Sequence, residues 1–145
     1  MKISTKGRYA LRMMLDLAEH RNDGFIALKD IAKRQNISKK YLEQIVALLN
    51  RTDVLLTNRG SQGGYRLAQL PEKYTVGNIL RITEGSISPV ADWDSEHCRR
   101  ENPTTAMAFE VWRGLEKVIT EYLDGITLQD IIDKFGGTAR YEYYI

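Results

Sequence analysis

The chain has 145 residues, 43% of them hydrophobic, 21 Lys+Arg against 19 Asp+Glu, and one cysteine. That length buries one core of ordinary size, and a lone cysteine excludes an internal disulfide and agrees with a reducing, cytoplasmic setting. There is no run of about eighteen apolar residues to cross a membrane, and Met1-Lys2-Ile3-Ser4-Thr5-Lys6 lacks the apolar core of a secretion signal.

The net charge of +2 hides a division: residues 1–66 carry 13 Lys+Arg against 6 Asp+Glu, and the rest carries 8 against 13. A basic first half suits a phosphate-binding surface, because neutralised phosphates release counterions; the bland alternative is a lopsided set of solvated charges.

Ser4 is placed to cap a first helix running to about Glu19, with Tyr9, Leu11, Met13, Met14, Leu17 and Ala18 on its apolar face. Asn22-Asp23-Gly24 reads as a turn, and a short helix with Leu28, Ile31 and Ala32 follows and stops near Asn36. Ser38 then caps a third helix, with Tyr41, Leu42, Ile45, Val46, Leu48 and Leu49 facing inward. Its other face carries Lys39, Lys40, Glu43, Gln44, Ala47 and Arg51. One face docks on a core while the other is free to read a groove, the division a recognition helix needs.

Two β-prone runs, Val54-Leu55-Leu56-Thr57 and Tyr65-Arg66-Leu67, flank Asn58-Arg59-Gly60-Ser61-Gln62-Gly63-Gly64. They predict a glycine-rich hairpin, the wing of a winged helix-turn-helix, with Arg59 suited to a narrow, electronegative minor groove. Beyond Pro71 a short helix over Val76 to Thr83 carries Ile79, Leu80 and Ile82. Residues 85–103 read as a charged loop punctuated by Gly85, Pro89 and Pro103. A long helix from about Thr104 to Leu123 places Met107, Val111, Leu115, Val118, Ile119 and Tyr122 at helical spacing, more apolar surface than so small a chain can cover; we read it as a dimerisation helix. Thr127 to Lys134 forms a last short helix before the tail Arg140-Tyr141-Glu142-Tyr143-Tyr144-Ile145. The expected fold is mainly α with a small β-hairpin wing, organised as a winged helix-turn-helix domain over 1–84, a loop over 85–103, and a dimerisation helix with a tail over 104–145.

No catalytic constellation is apparent, so a non-enzyme is expected. The wing glycines have neither dinucleotide-fingerprint nor phosphate-loop spacing, and His20 and His97 stand too far apart for a helical metal pair. Gln44 can bond adenine in two places, and Glu43 can accept from the cytosine amino group while repelling phosphates, so as to exclude wrong sequences. With Arg59 these are the expected base readers. Lys2, Ser4, Lys6, Arg8, Lys39, Lys40, Tyr41, Arg51, Ser61 and Gln62 are the expected phosphate contacts on double-stranded DNA. Cys98, beside His97, Arg99 and Arg100, is a candidate redox thiol, with an inert surface thiol as the plain alternative.

The opening Met1-Lys-Ile-Ser-Thr-Lys-Gly-Arg-Tyr-Ala10, Ile37-Ser38 with Tyr41-Leu-Glu-Gln44, and Arg59-Gly60 with Gly63-Gly64-Tyr65 resemble the Rrf-two-type transcriptional regulators over nearly the whole chain. The resemblance implies a dimeric bacterial transcription factor with an amino-terminal winged helix and a long dimerisation helix. It also implies base contacts from Glu43, Gln44 and Arg59. Cluster-binding members carry three cysteines before the long helix, whereas only Cys98 stands here, with Glu101, Ala106 and Phe109 in the region of further ligands. No cofactor is therefore expected, since a [2Fe–2S] cluster takes four ligands, mostly thiolates; a regulator sensing iron–sulfur status or nitric oxide is the alternative within the family. Gly85-Ser-Ile-Ser-Pro89-Val90 and the ending Tyr143-Tyr144-Ile145 resemble the family's cysteine-metabolism repressors. That likeness implies a partner, O-acetylserine thiol-lyase, with Tyr143, Tyr144 and Ile145 as the contact, an end imitating the carboxyl-terminal isoleucine this enzyme binds.

Overall fold

The computed structural model describes residues 2–90 and 100–136. Helix α1 (Thr5–Glu19) begins where Ser4, in extended backbone, accepts the Gly7 N–H on its hydroxyl at 3.1 Å. Ala10, Met13, Met14 and Leu17 recur at the helical period and lose essentially all exposure. Helix α2 (Leu28–Gln35) ends at Asn36, whose left-handed backbone (φ 53°) is one that asparagine tolerates better than most residues. Ile37 drops into the core and Ser38 caps α3 (Lys39–Leu49) by accepting the Tyr41 N–H at 3.1 Å. So short a turn sets α2 and α3 in a helix-turn-helix.

Strands β1 (Leu55–Asn58) and β2 (Gly64–Leu67) pair antiparallel, Leu55 opposite Leu67 and Asn58 opposite Gly64. The hairpin thus begins one residue after Val54 and takes in Asn58. A rung that the local pattern does not announce joins it: Ile26 and Tyr65 exchange backbone hydrogen bonds at 2.8 Å each. At the wing's root the buried Tyr74 hydroxyl donates to the Val54 carbonyl and accepts the Gln69 N–H, both at 2.9 Å, and burial pushes its phenol pKa up.

Helix α4 (Val76–Glu84) is capped by Thr75 and precedes α5 (Pro103–Asp124). Pro103 is the first residue of α5 and not the last of a loop. Asn102 caps that helix by accepting the Thr105 N–H at 2.8 Å, and proline costs nothing where an N–H has no partner in any case. The last short helix expected over Thr127 to Lys134 is present, in two geometries. Thr127 and Asp130 form a capping box for α6 (Leu128–Ile131), which then widens into a π turn over Ile132–Gly136.

The core gathers Met13, Met14, Leu17, Ile31, Leu42, Ile45 and Leu49 with Ile79 and, from far along the chain, Leu128. Leu128 is led there by backbone bonds from Val76 to Ile126 (2.9 Å) and from Leu128 to Tyr74 (3.0 Å). Arg81 of α4 also clasps Asp124 at the end of α5 through two bonds of 2.7 Å. The chain beyond α5 therefore returns to the core that the first four helices build. Asp16 is the one buried charged residue described. It accepts from Arg34 at 3.0 and 2.7 Å and from Gln35 at 2.9 Å, fastening α1 to α2.

Candidate nucleic-acid interface

Glu43 and Gln44 stand exposed on α3, on the face carrying Lys39, Lys40 and Ala47, while Leu42, Ile45, Val46 and Leu49 hold the opposite face in the core. Leu48, expected inward, is only half-buried at the edge between the two faces. Arg59, Ser61 and Gln62 are exposed on the wing. Between α3, the start of α2 and the wing lies an open groove of about 600 Å³, lined by Lys29, Lys39, Glu43, Asn58, Arg59 and Ser61 among others. The groove thus brings together one expected reader from the helix and one from the wing. Gln44 does not line it and lies on α3 beside it.

Lys29 and Asn58 were not among the sequence-based candidates. Lys29 had a signal, a cation in the first turn of the helix preceding α3; Asn58 had none, because the hairpin register decides its place. Among the described residues, Lys39, Lys40, Arg51 and Arg59 make no ion pair with the chain's own carboxylates, so their charge faces outward. Arg34 and Arg81 are already engaged: each is raised in pKa by its hydrogen-bonded aspartate, Asp16 and Asp124 respectively.

Lys2, before α1, and Arg8, in its first turn, are exposed, and Lys6 beside them is half-buried. The start of α1 sits beside the first turn of α3, because the Tyr9 and Tyr41 rings meet edge-to-face with centroids 5.5 Å apart. Tyr41 is half-buried in this contact. Ser4 differs from the other expected phosphate contacts in that its hydroxyl donates to Glu84 at 2.6 Å while capping α1.

Helix α5 buries no residue along its 22. Met107, Val111, Leu115, Val118 and Tyr122 stay exposed along one stripe, Val111 and Val118 at 62% and 63%. Ile119 is half-buried, and Trp112, not foreseen in the stripe, is exposed as well. Cys98, Tyr143, Tyr144 and Ile145 lie outside the described residues. No described helix is long and apolar enough to cross a membrane.

An outward-facing helix α3, a wing and free cations around one groove define a winged helix-turn-helix protein built to meet DNA. The chain belongs to the Rrf2 family of DNA-binding transcriptional regulators, whose family model, described as an iron-dependent transcriptional regulator, matches residues 3–134. It is 38% identical over 146 residues to the HTH-type transcriptional regulator CymR of Bacillus subtilis, covering all of both chains. It is 36% identical over 132 residues to the regulator IscR of Aliivibrio salmonicida, covering 91% of this chain and 77% of that one. Among solved structures it resembles B. subtilis CymR, called the global cysteine regulator, with a TM-score of 0.74 and 38% identity over 92% of this chain and 97% of that one. It also resembles IscR of T. potens, with a TM-score of 0.72, again at 38% identity, over 92% of this chain and 87% of that one.

A family described as iron-dependent raises the question of a cluster. The donor set does not fit one: the whole chain offers one thiolate, and among the described residues no three His, Cys, Asp or Glu side chains gather at one place.

Proposed function

We propose that this regulator works as a homodimer that represses genes of cysteine and sulfur metabolism in concert with O-acetylserine thiol-lyase. The DNA-binding part of this reading is carried by the groove that holds Glu43 of α3 and Arg59 of the wing together. Glu43 and Gln44 address base edges in the major groove and Arg59 enters the minor groove. Lys2, Lys6, Arg8, Lys39, Lys40, Arg51, Ser61 and Gln62 hold the phosphates. The uncovered stripe on α5 supports the homodimer, because two copies related by a twofold axis bury it mutually and present two readers to a palindromic site.

The metabolic assignment is supported by the full-length similarity to CymR, called the global cysteine regulator of B. subtilis, and by the family-like stretches Gly85 to Val90 and Tyr143 to Ile145. Similarity to IscR favours an iron-sensing regulator as the second reading, against which stands the single thiolate. The deciding experiment is binding of the purified protein to O-acetylserine thiol-lyase, with and without Ile145 and with and without O-acetylserine. Tight binding that needs Ile145 and is relieved by O-acetylserine supports the cysteine reading. No binding in any arm overturns it, and iron content after anaerobic purification then tests the second.

A further inference from the structure

In a capping box the third residue of a helix turns its own carboxylate back onto the N–H of the capping residue, as Asp130 does for Thr127 at 2.9 Å. Helix α1 lacks that residue, since the corresponding position is Gly7. The missing bond comes instead from α4, 80 residues away: Oε1 of Glu84 accepts the Ser4 N–H at 3.0 Å and the Ser4 hydroxyl at 2.6 Å. Gly7 is what admits it, because a Cβ there would stand 2.3 Å from the same Oε1. The start of α1 is thus completed by tertiary contact. The direction in which Lys2 leaves the helix is set by the last turn of α4.

We infer that Glu84 is a positioning residue for DNA binding: by holding Ser4 it fixes the arm before α1 and the first turn of that helix, so that Lys2 of the arm and Lys6 of the turn meet the phosphate backbone in register with α3. This inference rests on the DNA-binding reading and names a residue outside the groove on which that reading depends. Two further observations bear on it. The first turns of α1, which the arm precedes, lie beside α3 through the Tyr9–Tyr41 contact, and Arg81, one turn before Glu84, clasps Asp124, so α4 is itself anchored to the end of α5. Both bonds from Ser4 end on one oxygen, so a glutamine amide oxygen can accept them equally, whereas alanine accepts neither.

The test is fluorescence anisotropy of the full chain on a mixed-sequence duplex of about 30 base pairs, over roughly 50–200 mM salt, where each phosphate contact adds about 0.9 to the logarithmic salt slope. Glu84→Ala is expected to weaken binding about tenfold and to flatten the slope by about two to four for a dimer, as one or both lysines are lost from each copy, with Glu84→Gln keeping wild-type values. Gly7→Ala, which displaces the carboxylate without removing it, is expected to reproduce the alanine variant and serves if that variant does not fold. A wild-type slope in the Ala variants, or a Gln variant as impaired as Glu84→Ala, would overturn the assignment. Tighter binding by both Glu84 variants would also overturn it, leaving Glu84 merely a negative charge near the DNA. Absence of salt-dependent binding by the wild type would instead sink the DNA-binding reading itself.

Discussion

Arg34 and Arg81 face fixed aspartates at hydrogen-bond distance and are committed to the fold, whereas Arg59 projects from the wing with no such partner among the described residues. Arg59→Ala is therefore expected to leave the melting temperature unchanged and to cost about 1–3 kcal/mol of specific DNA binding, the scale of one reading contact. Parallel thermal melts and titrations on a cognate duplex separate the two effects. The Arg81–Asp124 clasp makes the converse prediction. Hydrogen bonding from Arg81 holds the Asp124 carboxyl below its ordinary pKa, so the pair stabilises the fold fully above the ordinary aspartate range. That contribution disappears as pH falls through the lowered value. Both side chains are about a third exposed, which limits it to about 0.2–1 kcal/mol. Asp124→Asn is accordingly expected to melt earlier than wild type at neutral pH and together with it near the acid limit, as a pair of pH-stability curves would record.

At the level of elements, the wing is a two-stranded hairpin that is too small to stand alone and is held by its surroundings. The Ile26–Tyr65 rung and the Tyr74 hydroxyl fasten it, the first by close approach of two backbones and the second through a side chain. Gly64 permits the first, since a Cβ there would lie 2.3 Å from the Ile26 carbonyl oxygen. Gly64→Ala should therefore cost about 1–3 kcal/mol of stability, the range for overpacking a filled site, and weaken DNA binding more than Arg59→Ala does because the whole wing shifts. Chemical denaturation and a binding curve at low temperature test both parts. Binding equal to wild type would show that the wing tolerates displacement from α2. Helix α3 is started locally by its Ser38 cap and oriented by the packing of Leu42, Ile45 and Leu49 in the shared core.

For the molecule as a whole, the stripe on α5 is the largest run of exposed apolar side chains among the described residues. Fully burying an aliphatic side chain of the Val118 or Leu115 class is worth about 1.5–3 kcal/mol, which, set against the cost of association, favours a second copy covering the stripe. Val118→Glu, in the middle of the exposed stripe, is expected to shift the sedimentation profile to monomer while leaving α-helical content intact. It should also lower affinity for a palindromic site, since each monomer then holds one half-site alone. A dimer unaffected by this charge would place the interface elsewhere.

Local chemistry made much of this legible. Serine caps at Ser4 and Ser38, the 3.6-residue recurrence of apolar side chains, and glycines between two β-prone runs each act within a few residues, so α1, α3 and the hairpin could be read directly. The division of charge toward residues 1–66 was legible for the same reason, being a sum over the chain. The place of Pro103 is ambiguous in the sequence, because proline marks the end of a loop and the first position of a helix equally well. The helix expected over Thr127 to Lys134 is present, and its widening to a π turn over Ile132–Gly136 carries no local signal in the sequence. Only the tertiary structure decided that Ile26 joins the hairpin, that Leu128 returns to the first core, and that Asp16 is buried against Arg34. It alone set the carboxylate of Glu84 on Ser4. Those contacts link residues 18 to more than 100 positions apart, and their strength depends on distances that no spacing along the chain encodes.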